Sequence, residues 1–407
     1  MYRRKEGIPP GKITWSRFRR NPLALSGMVI IGLAFLVSLF AYAISPDRSP
    51  NANTQILAIA TERPGFSATF IRVRYNRPPL RTGWLEGLFR GKESGYYYIP
   101  VDSVWVEQPY LVYREFSRHR EDEFISRLLI PDIVYPVRPE GCSYRDGVWN
   151  VELVSGEIIR RNGDELTGTV LEEHLVKKHF RLGTDRFGRD LLSRIVIGTR
   201  ISFSVGFIAV FISLMVGVVL GGIAGYFRGV TDQVIMWLVN VVWSIPTLLM
   251  VISITLVLGK GYWQVFVAVG LTMWVEVARV VRGQVISIRE NEYVEAARAI
   301  GAGPATIIAR HILPNVMAPV VIISAANFAT AILMEAGLSF LGIGVQPPVP
   351  SWGGMIKDHY GFIIVNKGFL AFLPGIAIML MVLAFTMVGN GLRDAMDTRS
   401  GQVNLRR

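Results

Sequence analysis

Long stretches without any charged residue dominate this chain and predict helices that cross a membrane. They cover residues 21–46, 201–227, 233–259, 261–275, 312–334 and 368–392. A helix needs about 20 residues to span a hydrocarbon core of ~30 Å. Five stretches reach that length, and the fourth does so when residues 276–281 are added with their charges near the headgroups. We therefore expect six transmembrane helices rather than the buried helices of a soluble enzyme.

The composition and the charge distribution support this expectation. Only 18% of the 407 residues are charged, against about 25% in soluble proteins. The net charge of +12 could indicate nucleic-acid binding, but residues 47–199 hold 22 Lys and Arg against 21 Asp and Glu, so the excess lies in short flanks and loops. Such an excess marks the cytoplasmic side of a membrane. Both termini are therefore predicted to be cytoplasmic, and no nucleic-acid partner is expected.

The first apolar stretch follows a basic flank and could be taken for a cleaved signal peptide. It is longer than the usual signal core of about 7–15 residues, and Ser45-Pro46-Asp47 is a poor cleavage site, so we expect a permanent anchor. The even number of spans then divides the chain into four parts. They are a cytoplasmic flank with the first span (1–46), an extracytoplasmic insert (47–180), a five-helix core (181–392) with a cytoplasmic loop (284–315), and a cytoplasmic tail (393–407).

The insert is predicted to be a folded domain rich in β-structure. Aromatic and β-branched residues alternate with other residues in 70–75 and 95–105, which is the period of a half-buried strand. Residues 148–160 have the pattern of a hairpin that turns at Ser155-Gly156. The predicted fold class is therefore an all-α polytopic membrane protein with an added β-rich insert domain.

The remaining features of the insert indicate no catalytic or metal site. Residues 164–179 have helical apolar spacing, and the mixed charge run of residues 118–123 is typical of a solvated face. The single cysteine, Cys142, excludes an intrachain disulfide and a cysteine-based zinc site. Three histidines lack partners at metal-binding spacing and are expected to lie at the surface; they are His119, His174 and His179.

The cytoplasmic loop of residues 284–315 is polar and yet strongly patterned. The apolar spacing predicts a helix that stops at Gly301; its apolar positions are Val285, Ile288, Val294, Ala297 and Ile300. Gly303-Pro304 predicts the start of a second helix, with proline at its first position. This second helix is predicted to end at Pro314. The expected product is a short helix–turn–helix with small alanines exposed near the turn.

At these positions the chain resembles the membrane subunits of binding-protein-dependent ABC importers. Their EAA loop is matched by Glu295-Ala296-Ala297, Gly301 and Leu313-Pro314. Further strings resemble the C-type subunits of the dipeptide, oligopeptide and nickel branch; they are Arg310-His311-Ile312-Leu313-Pro314-Asn315, Gly183-Thr184-Asp185, Gly188-Arg189-Asp190, Ser193-Arg194, Glu335-Ala336-Gly337-Leu338-Ser339-Phe340-Leu341-Gly342 and Pro347-Pro348-Val349-Pro350-Ser351-Trp352-Gly353. The likeness covers residues 12–46 and 180–399, whereas the insert departs from the shorter link of typical members.

The resemblance implies a type I importer permease that carries peptides or a similar small solute, such as nickel, across a bacterial or archaeal inner membrane. The implied partners are a homologous second permease subunit, two cytoplasmic ATPase subunits, an extracytoplasmic solute-binding protein and the lipid bilayer. It also assigns the ATPase-coupling contact to Glu295, Ala296, Ala297, Gly301, Leu313 and Pro314. In this family a short rigid helix passes motion from the ATPase to the membrane.

No enzymatic chemistry is expected in this chain. No glycine-lysine pair has the spacing of a Walker loop, so ATP and Mg²⁺ are expected only in partner subunits, and no cofactor is expected here. Asp185 is predicted to cap a surface helix. Glu335, near the outer end of the fifth span, is a candidate gate or path residue; the alternative is a structural pairing with Arg200 or Lys357.

Two features of the spans concern architecture, and two other functions stay open. Gly217, Gly221, Gly222 and Gly225 predict close helix packing in the second span, and Pro246 predicts a kink in the third. An ion-coupled secondary transporter would need ionisable pairs at mid-membrane or inverted repeats with broken helices, and neither is evident. A membrane receptor with the insert as sensor would need a cytoplasmic output domain.

Overall fold

The computed structural model describes residues 10–77, 83–117, 124–259 and 261–396, and these form two compact units. The β-rich unit comprises Phe40–Ile197 and Asp358–Leu370. The helical unit comprises the described parts of Met1–Leu39, Gly198–Lys357 and Ala371–Arg407. The predicted solvated charge run of residues 118–123, with His119, lies outside the described residues, as does most of the predicted cytoplasmic tail.

The helices and strands from the N-terminus to the end of the insert alternate irregularly. They are α1 (Pro10–Phe18), α2 (Pro22–Leu39), α3 (Ala41–Ile44), β1 (Phe66–Arg74), α4 (Trp84–Arg90), β2 (Tyr96–Glu107), β3 (Tyr110–Glu115), β4 (Ile125–Leu129), α5 (Ile130–Val134), β5 (Val137–Arg145), β6 (Val148–Leu153), β7 (Ile158–Asn162), α6 (Gly163–Thr169) with a π turn at Val170–His174, and β8 (Leu175–Phe180). Within the described residues the strands form two antiparallel sheets, in the orders β4-β3-β2-β1-β8 and β5-β6-β7.

Apolar side chains pack on both faces of the larger sheet, because strand β1 alternates two sets of them. In β1, Ile71 and Val73 face a core that includes Trp149 of the smaller sheet. Phe70 points to the other face and packs in a second cluster with Ile59. The predicted strands at residues 70–75 and 95–105 are confirmed by β1 and β2, and the predicted hairpin is confirmed by the β6–β7 pairing.

The predicted helix over residues 164–179 is wrong in its second half. After α6 and the π turn, the chain becomes strand β8, which pairs with β1 so that Leu175 lies opposite Ile71. Pairing with a central strand outweighs the local helical spacing, because a strand's preference depends on its neighbours. His174, predicted to lie at the surface, is only 3% exposed.

The second half of the chain is almost entirely helical. Its helices are α7 (Leu191–Phe227), α8 (Gly229–Trp243), α9 (Thr247–Leu258), α10 (Tyr262–Ile288), α11 (Glu292–Ala299), α12 (Pro304–Thr306) with a π turn at Ile307–Ile312, α13 (Leu313–Phe340), α14 (Trp352–His359) and α15 (Phe369–Met396). Five helical stretches of the described residues, counting Pro304–Phe340 as one, are long and apolar enough to span a membrane.

The third predicted span is broken rather than kinked. Helices α8 and α9 are bent by 91° at the residues around Pro246, so a sixth span exists only if this pair counts as one. Proline lacks the N–H that would continue the helix and clashes with the preceding turn. The expectation that no helix is broken is therefore wrong for this pair.

Small residues bring α7 against α10, as the glycine spacing predicts. A Cβ on Gly217 would lie 2.6 Å from the Cβ of Val277, and one on Gly225 would lie 2.7 Å from the Cβ of Val285. Gly221 is equally close to the Ala278 backbone, whereas Gly222 faces more open space. The prediction is confirmed for three of the four glycines, and any larger side chain at these three positions would separate the two helices.

Candidate functional site

The loop between α10 and α13 contains a separate short helix, α11, with residues Glu292–Ala299. The predicted single helix through residues 285–300 is wrong, because α10 extends to Ile288 and the chain turns at Arg289–Asn291 before α11 begins. Val285 and Ile288 therefore belong to the preceding long helix. The Glu295-Ala296-Ala297 motif therefore lies in a separate helix of eight residues.

Gly301 ends α11 in a Schellman turn. Its φ is +86°, which is the left-handed region that glycine adopts without a steric penalty. The Gly301 N–H donates to the Arg298 carbonyl at 3.0 Å, and the Ala302 N–H donates to the Ala297 carbonyl at 3.1 Å. The predicted stop at Gly301 is confirmed, and the backbone conformation explains why this position needs glycine.

The inner face of α11 is locked into the helical unit. Val294 is fully buried and Ala297 is 5% exposed, in a cluster formed by side chains from four other segments. The cluster also contains Tyr226 of α7, Val281 and Val285 of α10, Ile307 and Ile312 of the π turn, and Val316 and Val320 of α13. Ala297, which was expected to help a partner approach closely, instead packs inside its own chain. Movement of α11 must therefore act on α7, α10 and α13 together.

The outer face of α11 is acidic and small. Glu292, Glu295, Ala296 and Ala299 are all exposed and lie on the side away from the buried pair. Ile300, which the spacing places inside, is 85% exposed because α11 has already ended at Ala299. Two alanines next to two carboxylates leave a surface that another protein can approach closely and that favours basic side chains.

The second helix of the loop begins as predicted but does not end as predicted. Gly303 precedes Pro304, which occupies the first helical position of α12. The helix then runs through Pro314, which is exposed, to Phe340. A π turn precedes Pro314, and in it the Leu313 N–H donates to the Ile308 carbonyl, five residues back. This wider turn lets the chain accept a proline that would disrupt a regular helix. Leu313 itself is half-buried.

Ion pairs tie the helix ends around α11 to each other. Arg228, which follows α7, donates to Glu290 at 2.6 Å. Arg282 of α10 donates through two nitrogens to Asp232 of α8, at 2.5 and 2.6 Å. Sequence reasoning missed the second pair because its members are 50 residues apart; the only signal was one acid and one arginine at the ends of apolar stretches.

Glu335 is fully buried in α13, and its partner is a hydroxyl group. Ser339 Oγ donates to the Glu335 carboxylate at 2.6 Å, and the same Oγ accepts the Val345 N–H at 3.1 Å. Among the described residues no ion pair joins Glu335 to Arg200 or Lys357, so the predicted structural pairing is wrong in its partner. The carboxylate instead helps to fix the turn that follows α13.

The motif of residues 183–194 forms a buried polar loop in the β-rich unit. Asp185 is fully buried and accepts from Arg189 Nε at 2.6 Å and from the Phe187 N–H at 2.8 Å. The cap of α7 is Asp190, which accepts the Ser193 N–H at 2.9 Å. The predicted capping role of Asp185 is therefore wrong, because its oxygens are taken by its own loop and the helix begins five residues later than assumed.

Comparisons with known proteins agree with these motifs. Residues 217–402 match the family described as binding-protein-dependent transport system inner membrane component, and residues 9–60 match the N-terminal TM domain of oligopeptide transport permease C. The chain is 43% identical over 217 residues to a dipeptide transport system permease protein, DppC, of Alkalihalophilus pseudofirmus, covering 53% of this chain and 71% of that protein.

Two further relatives have similar coverage. A glutathione transport system permease protein, GsiD, of Pectobacterium atrosepticum is 40% identical, over 54% of this chain and 72% of that protein. An oligopeptide transport system permease protein, OppC, of Bacillus subtilis is 39% identical, over 55% and 72%. Among solved structures, a chain of the MetNI methionine ABC transporter is similar over 50% of this chain, with 20% identity and a TM-score of 0.42.

Proposed function

Because this chain belongs to the family of binding-protein-dependent transport system inner membrane components, we propose that it is a permease subunit of an ATP-driven importer of peptides. The peptide substrate is inferred from relatives named for dipeptide, glutathione and oligopeptide transport. Its fold is that of a type I importer permease with an added β-rich insert. The chain supplies half of the translocation path and no catalytic residue.

The observation that carries the proposal is the two-sided construction of α11. Its outer face offers Glu292, Glu295, Ala296 and Ala299 to a cytoplasmic ATPase subunit, while its inner face shares a core with three long helices. A rod packed in this way moves as a unit and cannot bend to absorb a push. Closure of the ATPases would therefore be passed to α7, α10 and α13 and would change which side of the path is open.

The assembly proposed around this chain follows from the family. It consists of a homologous second permease subunit, two ATPase subunits that bind ATP and Mg²⁺, and an extracytoplasmic solute-binding protein that delivers the substrate. Within the coupling loop, Glu295 and Ala296 make contact with the ATPase, whereas Ala297, Gly301, Leu313 and Pro314 hold the rod in position. No cofactor is proposed for this chain.

We assign six spans, with α8 and α9 together forming the third. The other five are α2, α7, α10, the stretch Pro304–Phe340 and α15. The excess of Lys and Arg in the flanks and short loops favours cytoplasmic termini in an inner membrane. In this proposed topology residues 47–180 lie on the extracytoplasmic side and the coupling loop lies on the cytoplasmic side.

For Glu335 we propose an anchoring role rather than a place on the path. Its complete burial and its bond to the Ser339 hydroxyl group support this assignment, because a path residue must meet water or substrate in some state. Replacement by Gln, which keeps the acceptor oxygen, should preserve transport.

The coupling role is tested by changing the glycine that ends α11. Gly301→Val forces a β-branched residue into the left-handed region, at a cost of about 1–2 kcal/mol, and is expected to abolish peptide uptake in reconstituted vesicles while membrane insertion stays normal. Gly301→Asn, which tolerates this conformation, should retain most uptake.

Gly303→Val is the matched control for this experiment. Gly303 has a φ of −68° and an added Cβ meets no atom within 4 Å, so valine fits there without strain. Uptake by this variant should be close to that of the unaltered protein. Robust uptake by Gly301→Val would contradict the coupling role of α11.

A further inference from the structure

A cavity of about 670 Å³ opens within the β-rich unit, beside one face of the larger sheet. Its floor carries Tyr96 and Tyr98 from β2, Arg74 from β1 and Lys178 from β8. The register explains why these side chains meet: Arg74 lies opposite Tyr96, Arg72 lies opposite Tyr98, and Ala68 lies opposite Lys178, so all of them point to one face. A volume of this size is typical of small-molecule sites.

The carboxylates that line the cavity are already engaged with other groups. Asp47 accepts the Ser49 N–H at 2.9 Å and the Thr54 N–H at 3.2 Å, and Asp190 caps α7. Glu93 is paired with Arg77 at 3.2 Å. These three carboxylates therefore already interact with groups of the protein and stabilise the walls of the cavity.

The cations on the floor lack such partners. Within the part of the chain that the structure describes, neither Lys178 nor Arg74 has an ion pair. The Lys178 ammonium lies 3.0 Å from the centre of the Tyr98 ring, and burial lowers the pKa of Lys178 to about 8 against the opposing effect of the Asp47 and Asp190 carboxylates. A partly buried ammonium that lies against a ring face and has no ion pair among the described residues favours an added oxyanion, which would supply charge-assisted hydrogen bonds.

We propose that this cavity binds a small anionic ligand whose carboxylate or phosphate group contacts Lys178 and Arg74 and whose remaining atoms pack on Tyr96 and Tyr98. The site lies in the insert, so it goes beyond the transport role and does not depend on it. The same anionic group could belong to a free small molecule or to the headgroup of an anionic lipid.

The experiment uses the full chain in phosphatidylcholine nanodiscs and calorimetric titration with inorganic phosphate, with trialanine and with its C-terminal amide. We expect phosphate or trialanine to bind, and the amide to bind more weakly than trialanine. Lys178→Met should weaken binding at least tenfold, and Arg74→Gln should weaken it by about threefold. The charged groups that face Lys178 are Asp47, Asp190 and Arg72. Binding of the anion should decline above pH 8, because Lys178 loses its proton and its positive charge there.

Lys177→Met is the matched control, because Lys177 is the exposed neighbour on the same strand and points to the opposite face. Its affinities should match those of the unaltered chain. Nanodiscs with phosphatidylglycerol form the lipid arm: a lipid occupant would displace the soluble probes, and Lys178→Met would retain less of that lipid. The proposal is overturned if no probe and no phosphatidylglycerol binds, or if the Lys177 and Lys178 variants behave alike.

Discussion

Two nitrogens of the Arg282 guanidinium group donate to both carboxylate oxygens of Asp232, at 2.5 and 2.6 Å. This paired geometry joins α8 to α10 at the end of the helical unit that carries the coupling loop. Bidentate contacts of this kind are stronger and more directional than single ion pairs. The pair therefore fixes the start of the broken third span against the helix that leads into α11.

Loss of this pair should destabilise the helical unit. Asp232→Asn leaves Arg282 without its counter-charge, and we expect a decrease of about 1–2 kcal/mol in the free energy of unfolding. A double-mutant cycle with Arg282→Gln, followed by thermal unfolding in nanodiscs, measures the coupling. The Arg228–Glu290 pair is the control: its side chains are 41% and 67% exposed, so its coupling should be below about 1 kcal/mol.

Neighbouring alanines in α11 should respond differently to the same substitution. Ala296→Leu adds bulk to an exposed face, so stability should be unchanged while ATP-dependent uptake falls at least tenfold. Ala297→Leu overfills a buried cluster, so it should lower the free energy of unfolding by about 1–3 kcal/mol. Thermal unfolding and uptake measured on both variants separate the two effects. Normal uptake by Ala296→Leu would contradict docking of a partner on the outer face.

Gly188 should tolerate no side chain. Its φ is +71°, and a Cβ would overlap the Ile56 carbonyl oxygen, so Gly188→Ala must displace the backbone of the buried loop around Asp185. We expect a loss of about 3 kcal/mol or more in the stability of the β-rich unit, measured by thermal unfolding. Gly168→Ala in α6, where an added Cβ meets no atom within 4 Å, is the control and should be neutral or stabilising.

The stability of the β-rich unit should decrease in mild acid because of His174. Burial lowers the pKa of His174 below its ordinary value of 6.5, with a further contribution from Arg72 and Arg74, although its bond to the Arg72 carbonyl opposes the shift. His174 therefore binds a proton more readily in the unfolded chain than in the folded one. Its contribution to the free energy of unfolding is fully present above pH 6.5 and declines as the pH falls below that value.

His174→Asn is the variant that checks this pH dependence. The asparagine amide can take the place of Nδ1 as a donor to the Arg72 carbonyl, and it does not titrate. Melting temperatures measured between pH 7.5 and 5 should fall less steeply for the variant than for the unaltered chain. Parallel curves would show that His174 is not responsible.

The sequence predicts five of the long apolar helices and the strands β1, β2, β6 and β7 correctly, because each follows from an apolar run or an alternation that extends over many residues. It predicts Gly301 correctly as well, since a glycine directly after a helical pattern has one common use. The errors arise where distant residues decide. Leu175 becomes part of a strand because β1 is there to pair with it. Asp185 serves its own loop because Arg189 folds back onto it.

The candidate site could be located from the sequence but not oriented. The EAA string identifies the loop, yet the resemblance assigned Ala297 to the contact with a partner, whereas it packs inside its own chain. The π turn before Pro314 has no local signal, since its wider hydrogen bond depends on how α13 packs against the loop. Which face of a short helix is buried is decided by the helices that pack against it, and for α11 these are α7, α10 and α13.

The break between α8 and α9 limits what can surround it. No side chain caps the start of α9, so the amide groups of Thr247, Leu248 and Leu249 have no partner within the helix, and all three residues are exposed. Lipid tails offer such groups no acceptor. In the proposed six-span topology, this bend must therefore face water or another protein, which makes it the part of the third span that cannot border on lipid.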